Sequence, residues 1–247
     1  MRIDYTDISQ TYDEYRSFSK HLAKKVVEFG GIREGIKALD VGCGTGNLAR
    51  QLLDLMSLDI VGVDISLPML KVARGKSLEV LCADAASNRL PFRDSSFDIL
   101  TATYVIHQIS NLELLFSECY RVLRNGVLVL LTSSHEQIEN EHPVFKRFFP
   151  GAIDIDKARF PDIPVIYDML ATAGFRDIRH EPVLGDSIVI DEEYLRKVKG
   201  KYVSTYRLMP QREFERGVAE LETYIKSLRR PESLEWRGTL IYGRKRG

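Results

Sequence analysis

The chain has 247 residues with 35 basic and 35 acidic side chains, and its zero net charge argues against broad electrostatic binding of nucleic acid. An apolar content of 44% supports a buried core, and three scattered cysteines without a CxxC pair predict a reducing compartment and no structural zinc. The polar N-terminus does not resemble a signal peptide and no apolar run is long enough to span a membrane, so we expect a cytoplasmic protein.

Strands and helices alternate in the first half of the chain. Residues 5–29 are predicted to form a helix that Gly30 ends. After it, nearly continuous apolar runs predict buried strands, and apolar residues at helical spacing predict helices between them. The strands are expected at 36–41, 59–64, 78–83, 97–101 and 127–132, and the helices at 48–56, 68–74 and 111–124, the last capped by Asn111 and ended by Gly126. Such βαβ units form a parallel sheet whose strands all end on one edge, where ligands bind.

The alternation breaks down after Ser134. Residues 135–164 contain several phenylalanines and prolines and are expected to form an irregular cover segment. A helix at 167–173 and a strand at 175–183 follow, then a helical segment at 191–230 and a closing strand at 237–244. The expected organisation is N-terminal cap helices at 1–35, a core at 36–133, a cover insertion at 134–164, a core helix and strand at 165–184, a helical cap insertion at 185–235 and a closing strand at 236–247.

The most informative stretch is ALDVGCGTG, residues 38–46, an apolar strand that ends in an acid and three alternating glycines. Gly42, Gly44 and Gly46 allow positive φ and a close approach of a ligand to the backbone. Asp40 stands at the mouth of this turn, where a carboxylate attracts the sulfonium and ammonium groups of S-adenosylmethionine and repels a pyrophosphate. The stretch therefore favours S-adenosylmethionine over NAD or ATP.

Two further acids end the next two predicted strands. Asp64 can accept both hydroxyls of a ribose, and Asp84 can accept from an adenine amino group. Each acid alone fits a helix cap or a turn, but acids at three consecutive strand ends favour a nucleoside site. A dinucleotide fingerprint is the alternative, because GTGNLA from Gly44 fits GxGxxA and Asp64 follows 20 residues later. Asp40 argues against that alternative, since it would repel a dinucleotide phosphate.

The runs LDVGCGTGNLA, VGVDIS, CADA and LPFRDSSFDIL resemble the class I S-adenosylmethionine-dependent methyltransferases. They most resemble the small-molecule group that includes quinone-biosynthesis and trans-aconitate-type enzymes. The resemblance covers residues 5–133 and, more weakly, 165–183 and 236–244. It implies an α/β fold with a Rossmann-like, doubly wound, mostly parallel sheet of seven strands, the last of them antiparallel, and with helical cap insertions.

The residue pattern and the resemblance together give an expected cofactor site. The resemblance implies that Thr103 or Tyr104 lines the sulfonium end, after the fourth strand. It also implies that an N-terminal helix carrying Tyr12 and Arg16 closes the pocket, where Arg16 either pairs with the methionine carboxylate or is an ordinary surface residue. The full set of expected cofactor contacts is Asp40, Gly42, Gly44, Gly46, Asp64, Ile65, Asp84, Ala85, Thr103, Tyr104, Tyr12 and Arg16.

Few residues are candidates for the chemistry of transfer. An in-line displacement at a sulfonium methyl needs alignment and exclusion of water more than acid–base groups. His107 is the best candidate base for a hydroxyl or ammonium acceptor, although a histidine at this turn more often caps or packs, and His135 is the second. Cys43 is expected to be a small filler rather than a nucleophile, and no metal site is expected.

The cover segments are rich in aromatic side chains. Phe148, Phe149, Tyr202 and Tyr206 either line a pocket for an organic acceptor or pack the cover onto the core. Ser204 and Thr205 could bind a polar group of the acceptor, but nothing in the sequence identifies that group.

The sequence thus predicts a methyltransferase that moves a methyl group from S-adenosylmethionine to a small organic acceptor by in-line displacement, with S-adenosylhomocysteine as product. A methyltransferase acting on RNA or protein is the first alternative, for which the net basic segment from Asp191 onward would contact the macromolecule. A non-catalytic S-adenosylmethionine-binding protein on the same fold is the second. We expect no membrane or nucleic-acid partner, and a homodimer is compatible with the sequence. The acceptor, and whether oxygen, nitrogen or carbon is methylated, stay open.

Overall fold

A seven-stranded sheet forms the centre of the fold. The structure, a computed structural model, describes residues 5–87, 89–141, 143–185 and 187–246. The strands of this sheet are β1 (Lys37–Val41), β2 (Asp59–Asp64), β3 (Glu79–Cys82), β4 (Phe97–Thr103), β5 (Leu123–Thr132), β6 (Arg176–Leu184) and β9 (Arg237–Arg244), in the order β3-β2-β1-β4-β5-β9-β6. Strand β9 is antiparallel to both of its neighbours, whereas the other pairs are parallel. The predicted Rossmann-like sheet with an antiparallel closing strand is confirmed.

Helices cover both faces of this sheet. They are α1 (Tyr12–Tyr15), α2 (Lys20–Gly30), α3 (Asn47–Leu55), α4 (Leu67–Gly75), α5 (Leu112–Val122), α6 (Pro143–Phe148), α7 (Gly151–Arg159), α8 (Ile163–Thr172), α9 (Glu192–Lys199), α10 (Ser204–Leu208) and α11 (Gln211–Ser227). On one face α2 and α3 bury Val26 and Leu52, and on the other α5 and α8 bury Phe116 and Ile166. Because both faces are covered, the strands are nearly continuous apolar runs. None of the helices in the described ranges is long and apolar enough to cross a membrane.

The N-terminal segment is less regular than predicted. Instead of one helix over 5–29, a 3₁₀ turn (Thr6–Ile8) and α1 come before α2. The chain is extended at Arg16, with φ −132° and ψ 103°. Helix α2 begins only after Ser19, whose hydroxyl accepts a hydrogen bond from the amide of Leu22. A serine in this position starts a new helix. The segment before Ser19 is therefore separate from α2, and it lies against the edge of the sheet.

Helix α5 begins as predicted and ends earlier. The side chain of Asn111 caps it by accepting a 3.0 Å hydrogen bond from the amide of Leu114. The helix ends well before Gly126 and β5 follows at once, so the prediction that Gly126 ends the helix is wrong. A Cβ at Gly126 would collide with the carbonyl oxygen of Asp98 on the neighbouring strand. This glycine is required by the close approach of two strands and not by a helix end.

The prediction of irregular structure at 135–164 is wrong, because a π-helical turn (Gln137–Glu141), α6 and α7 occupy this segment. Phe145, Phe148 and Phe149 recur at helical spacing and pack into a hydrophobic cluster that is separate from the two clusters of the sheet. The same cluster contains buried residues of α9, α10 and α11. The two cover segments therefore fold together, and we call this unit the cap.

The second cover segment is not helical throughout. Three helices, α9, α10 and α11, replace the continuous helical stretch expected at 191–230. Strand β7 (Ile188–Ile190) pairs antiparallel with β8 (Glu232–Leu234), so a short two-stranded sheet joins the two ends of this segment. Short strands of three residues carry too little periodic signal to be recognised from the sequence.

Candidate active site

A cavity of about 970 Å³ opens where the parallel strands end and extends beneath the cap. It lies at β1, between β2 and β4, which is the point where the strand order reverses and where α/β proteins bind ligands. The cavity is lined by every cofactor contact expected from the sequence except Gly46, and by the first candidate base: Tyr12, Arg16, Asp40, Gly42, Gly44, Asp64, Ile65, Asp84, Ala85, Thr103, Tyr104 and His107. A Cβ at Gly46 would collide with Leu78, so that glycine serves the packing of the turn.

The glycine turn after β1 presents its backbone to the cavity. Gly42 and Gly44 have φ angles of +69° and +54°, in the region that favours glycine. The amides of Gly42 and Cys43 both donate to the carbonyl of Val63, at 2.8 and 3.0 Å, which fixes the turn against β2. A Cβ at Gly44 would meet no atom within 4 Å, so the backbone there borders open space. Burial raises the pKa of the Cys43 thiol well above its usual value. Because the nucleophilic form of cysteine is the thiolate, this side chain is suited to fill space and not to act as a nucleophile.

Asp40 is a buried carboxyl at the end of β1. Only 2% of it is exposed, and Thr101 donates a 2.8 Å hydrogen bond to its Oδ1. Burial raises the pKa of Asp40 to about 7, with a further increase from the charge of Asp64, and the hydrogen bond from Thr101 acts in the opposite direction. Asp40 can therefore be neutral in the free protein and ionise when a positively charged ligand lies beside it.

Asp64 and Asp84 hold the loops that follow β2 and β3. Asp64 accepts hydrogen bonds from the amides of Gly44 and Ser66, at 2.9 and 2.8 Å. Asp84 accepts from the amide of Ala86 at 2.9 Å and from a serine hydroxyl at 2.7 Å. A carboxylate offers about four acceptor positions, so both acids can hold their loops and still accept hydrogen bonds from a ligand.

The N-terminal segment is fastened over the glycine turn by polar contacts that the sequence did not reveal. Asp13 accepts a 2.6 Å hydrogen bond from the hydroxyl of Thr45 and forms a 2.6 Å ion pair with Lys76. The side chain of Asn47 donates to the carbonyl of Arg16 at 2.8 Å. We call Asp13, Thr45, Lys76 and Asn47 the N-terminal clamp. These residues are far apart in sequence, and no local pattern predicts that they meet.

Tyr12 and Arg16 extend from this segment into the cavity. Burial lowers the pKa of the Arg16 guanidinium, but the phenol groups of Tyr12, Tyr5 and Tyr202 together raise it by more, so the net change is upward. Arg16 forms no ion pair with any carboxylate in the described part of the chain. A buried guanidinium without an anionic partner is suited to bind the carboxylate of a ligand.

His107 lies deep in the cavity, against the cap. Its ring stacks on Phe160, with centroids 4.0 Å apart and planes 10° apart. Burial, and then the charges of Arg159 and Arg16, hold the pKa of His107 well below its usual value of 6.5. Its Nδ1 is buried and has no hydrogen-bond partner among the described residues. His107 is thus a neutral imidazole that can accept a proton, although it is a weaker base than a solvated histidine.

Only some of the other residues that the sequence suggested for catalysis or acceptor binding line the cavity. His135 does not line the cavity, and its Nε2 lies 2.8 Å from the carbonyl of Phe160. Of the aromatic residues singled out in the cover segments, Tyr202 lines the cavity, whereas Phe148, Phe149 and Tyr206 pack inside the cap. Ser204 and Thr205, expected from the sequence to bind a polar acceptor group, also line the cavity, and so do residues that the sequence did not reveal: Tyr5, Asp156, Arg159, Phe160, Tyr194 and Trp236. In the described ranges no three His, Cys, Asp or Glu side chains are placed to bind a metal ion.

Comparison with known sequences finds a family model that matches most of the core. Residues 39–131 match a family model described as a methyltransferase domain. Demethylmenaquinone methyltransferase of Staphylococcus aureus (strain MRSA252) is 33% identical over 156 residues, which cover 59% of this chain and 63% of that enzyme. The match thus spans less than two thirds of the length of this curated relative.

Solved structures share the fold over nearly the whole chain. A provisionally named methyltransferase from an antibiotic biosynthesis pathway of Anabaena variabilis ATCC 29413 has a TM-score of 0.71 at 20% identity, covering 93% of this chain and 98% of that one. Haemonchus contortus phosphoethanolamine N-methyltransferase 2, in complex with S-adenosyl-L-methionine, has a TM-score of 0.64 at 19% identity. The match covers 99% of this chain and 60% of that one. The predicted resemblance is confirmed: residues 39–131 match the methyltransferase domain model, and the chain has the fold of the class I S-adenosylmethionine-dependent methyltransferases.

Proposed function

We propose that this protein is an S-adenosylmethionine-dependent methyltransferase that transfers a methyl group to a small organic acceptor beneath the cap. The observation that carries the proposal is the continuity of the cavity. One volume joins Asp64 and Asp84 at the strand edge to Tyr202 and Phe160 of the cap. A volume of about 970 Å³ lies within the range of ligand pockets and can hold a cofactor and an acceptor side by side.

The residues at the strand edge fit S-adenosylmethionine. The open space beside Gly44 admits a ligand against the backbone. Asp64 would accept from the ribose hydroxyls and Asp84 from the adenine amino group, with the acceptor positions that their loops leave open. Arg16 would pair with the methionine carboxylate. Asp40, ionised, would offset positive charge on the ligand.

When bound, S-adenosylmethionine supplies an electrophilic methyl group on a positively charged sulfur. The protein has to align an acceptor with that methyl group and keep water out. The N-terminal segment and the cap provide the cover, and Arg207 of the cap reaches Asp7 at 2.9 Å to join them. For a hydroxyl acceptor, Nδ1 or Nε2 of His107 would take up the proton that the acceptor loses.

A methyltransferase of RNA or protein is the second candidate. The net basic segment from Asp191 onward favours it, because clustered basic residues attract polyanions. The cover over the cavity disfavours it, since a macromolecule would have to reach past the cap and the N-terminal segment. A protein that binds S-adenosylmethionine without catalysis is the third, because a fold does not establish turnover.

Calorimetric titration with S-adenosylmethionine, S-adenosylhomocysteine and NAD tests the cofactor. We expect both adenosyl ligands to bind and NAD not to bind; the reverse result contradicts the proposal. Release of S-adenosylhomocysteine is then measured with small organic acceptors and with total RNA. Methylated RNA, together with RNA binding that weakens steeply with salt, would favour the second candidate. Cofactor binding without transfer to any acceptor would favour the third.

A further inference from the structure

At the cap end of the cavity lies the guanidinium of Arg159, in the last turn of α7. Its side chain is 16% exposed. One terminal nitrogen donates to the hydroxyl of Ser204 at 2.9 Å, and the other lies 3.5 Å from Oδ1 of Asp156. A guanidinium has five N–H donors, so this pair of contacts leaves donors for a ligand. Leaving such donors unpaired in a buried place costs free energy, which a bound anion would recover.

The acidic side chains at this end of the cavity are already engaged. Asp156 accepts a 2.7 Å hydrogen bond from Thr205, and burial raises its pKa to about 6. Asp191 caps α9 by accepting from a backbone amide at 2.8 Å, and Glu193 pairs with Lys197 at 2.9 Å. Each of these carboxylates already has a donor or a cation beside it, which weakens its attraction for an ammonium group. The acceptor end therefore offers little attraction to an amine.

Positive charge is concentrated in the same place. Arg16 and Arg159 both lie close enough to His107 to lower its pKa, in addition to the effect of burial. Apart from the engaged carboxylates and Lys197, the polar groups nearby are neutral, such as the hydroxyl of Tyr5, which accepts a 2.8 Å hydrogen bond from the Gln108 amide. Arg16 would pair with the methionine carboxylate of the cofactor, so Arg159, whose charge Asp156 offsets in part from 3.5 Å, is the guanidinium left for an acceptor. Its unused N–H donors favour an oxyanion.

We propose that the methyl acceptor is an organic acid whose oxyanion, a carboxylate or an ionised phenol, is bound by Arg159. This inference rests on the proposed function, in which Arg16 pairs with the methionine carboxylate and leaves Arg159 for the acceptor. The parallel stack of His107 on Phe160 borders the same space, and a flat apolar surface of this kind suits a planar acceptor. The site thus combines a guanidinium for the anion with aromatic walls for a ring.

The test uses the full-length protein and a matched panel of benzoic acids, phenols, benzamides and benzylamines with the same ring substituents. Binding to the S-adenosylhomocysteine complex is measured by calorimetry, and turnover with S-adenosylmethionine by release of S-adenosylhomocysteine. We expect acids or phenols to bind and to be methylated, and amides and amines to do neither. Comparison of the benzoic acids with the phenols tells which oxyanion Arg159 binds.

Variants of Arg159 separate recognition of the anion from a structural role. We expect Arg159→Gln to raise the KM for the acidic acceptor by about 10- to 100-fold, because hydrogen bonds to charged groups are lost, and to leave S-adenosylhomocysteine affinity unchanged. Arg159→Lys keeps the charge and should recover part of the loss. Lys157→Gln is the matched control, since Lys157 is on the same helix, outside the cavity, and pairs with Glu139 at 2.6 Å.

The two proposals fail in different ways. Absence of S-adenosylmethionine binding, or cofactor binding without any methyl transfer, overturns the proposed function. Methylation of amines or amides but not of acids overturns only the oxyanion site. An unchanged KM for the acid in Arg159→Gln overturns it as well, and so does a panel from which nothing binds to a protein that binds S-adenosylhomocysteine.

Discussion

Thr101 and Asp40 are register partners on β4 and β1, and the hydroxyl of Thr101 donates a 2.8 Å hydrogen bond to Oδ1 of Asp40. Both side chains are almost completely buried. The bond favours the ionised carboxylate, while burial disfavours it more strongly and raises the pKa of Asp40 to about 7. The end of β1 therefore carries a carboxyl whose charge can change near neutral pH.

The first prediction concerns stability and pH. Folded Asp40 keeps its proton up to about pH 7, whereas in the unfolded chain it loses the proton near the usual value of 3.8. Unfolding therefore releases a proton between these values, and the free energy of unfolding falls as pH rises through this window. Asp40→Asn should remove this fall and be more stable than the wild type above pH 7, by about 1–4 kcal/mol.

Urea unfolding at several pH values measures this effect. The control is Asp54→Asn, an exposed acid on α3 that pairs with Arg50. Between pH 4 and 7, the free energy of unfolding of this control should depend on pH as it does in the wild type. Thr101→Val should extend the fall to higher pH, because it removes the hydrogen bond that favours the ionised form and so raises the pKa of folded Asp40 further. A variant Asp40→Asn with wild-type pH dependence would contradict the assignment.

The second prediction concerns Asp64. We expect Asp64→Asn to weaken S-adenosylmethionine and S-adenosylhomocysteine by about 10- to 100-fold, because charge-assisted hydrogen bonds are lost. Asp64→Ala should weaken them further, since it also frees the amides of Gly44 and Ser66 and loosens the glycine turn. Calorimetry gives both affinities. Asp59→Asn, at the opposite end of β2 and 58% exposed, is the control and should bind like the wild type.

Local sequence patterns predicted the part of the site at the strand edge. The turn at 42–46 follows β1, Asp64 ends β2 and Asp84 lies two residues after β3, and parallel strands bring their ends together. The cap end could not be predicted in this way. Arg159 meets Ser204 across 45 residues of sequence, and only the packing of α7 on α10 joins them. Prolines and phenylalanines suggested irregular cover, although the spacing of the phenylalanines fits a buried helix face.

The third prediction concerns the N-terminal clamp. Asp13→Ala removes the hydrogen bond to Thr45 and the ion pair with Lys76, both of which are partly exposed. We expect S-adenosylhomocysteine to dissociate about three- to tenfold faster, because partly exposed contacts contribute about 1 kcal/mol and affinity changes appear mostly in dissociation. Glu14→Ala is the control, since Glu14 lies 3.9 Å from Arg196 and is 57% exposed.

Stopped-flow fluorescence can follow this dissociation without a label. Trp236 is the single tryptophan of the chain and lines the cavity, so ligand release should change its emission. Equal dissociation rates in Asp13→Ala and Glu14→Ala would show that the clamp does not hold the cover closed.

The fourth prediction concerns His107. We expect His107→Gln to lower kcat by about 100-fold with a hydroxyl acceptor, as for loss of a general base, and to leave S-adenosylhomocysteine affinity nearly unchanged. The pKa of His107 lies well below 6.5, so it stays neutral through the neutral range and the wild-type kcat should show no histidine titration there. Steady-state kinetics at several pH values checks both points. A variant with wild-type kcat would remove His107 as the base.

The last prediction concerns the core of the cap. Tyr206 is completely buried, and no hydrogen bond of ordinary geometry reaches its hydroxyl in the part of the chain that the structure describes, although Tyr194 lies close enough to affect its pKa. A buried polar group without a partner is destabilising, so Tyr206→Phe should raise the free energy of unfolding by about 1 kcal/mol. The neighbouring Thr205→Val should lower it by a similar amount, since the Thr205 hydroxyl donates to Asp156 at 2.7 Å. Urea unfolding compares the two variants, and a destabilised Tyr206→Phe would reveal a partner for this hydroxyl.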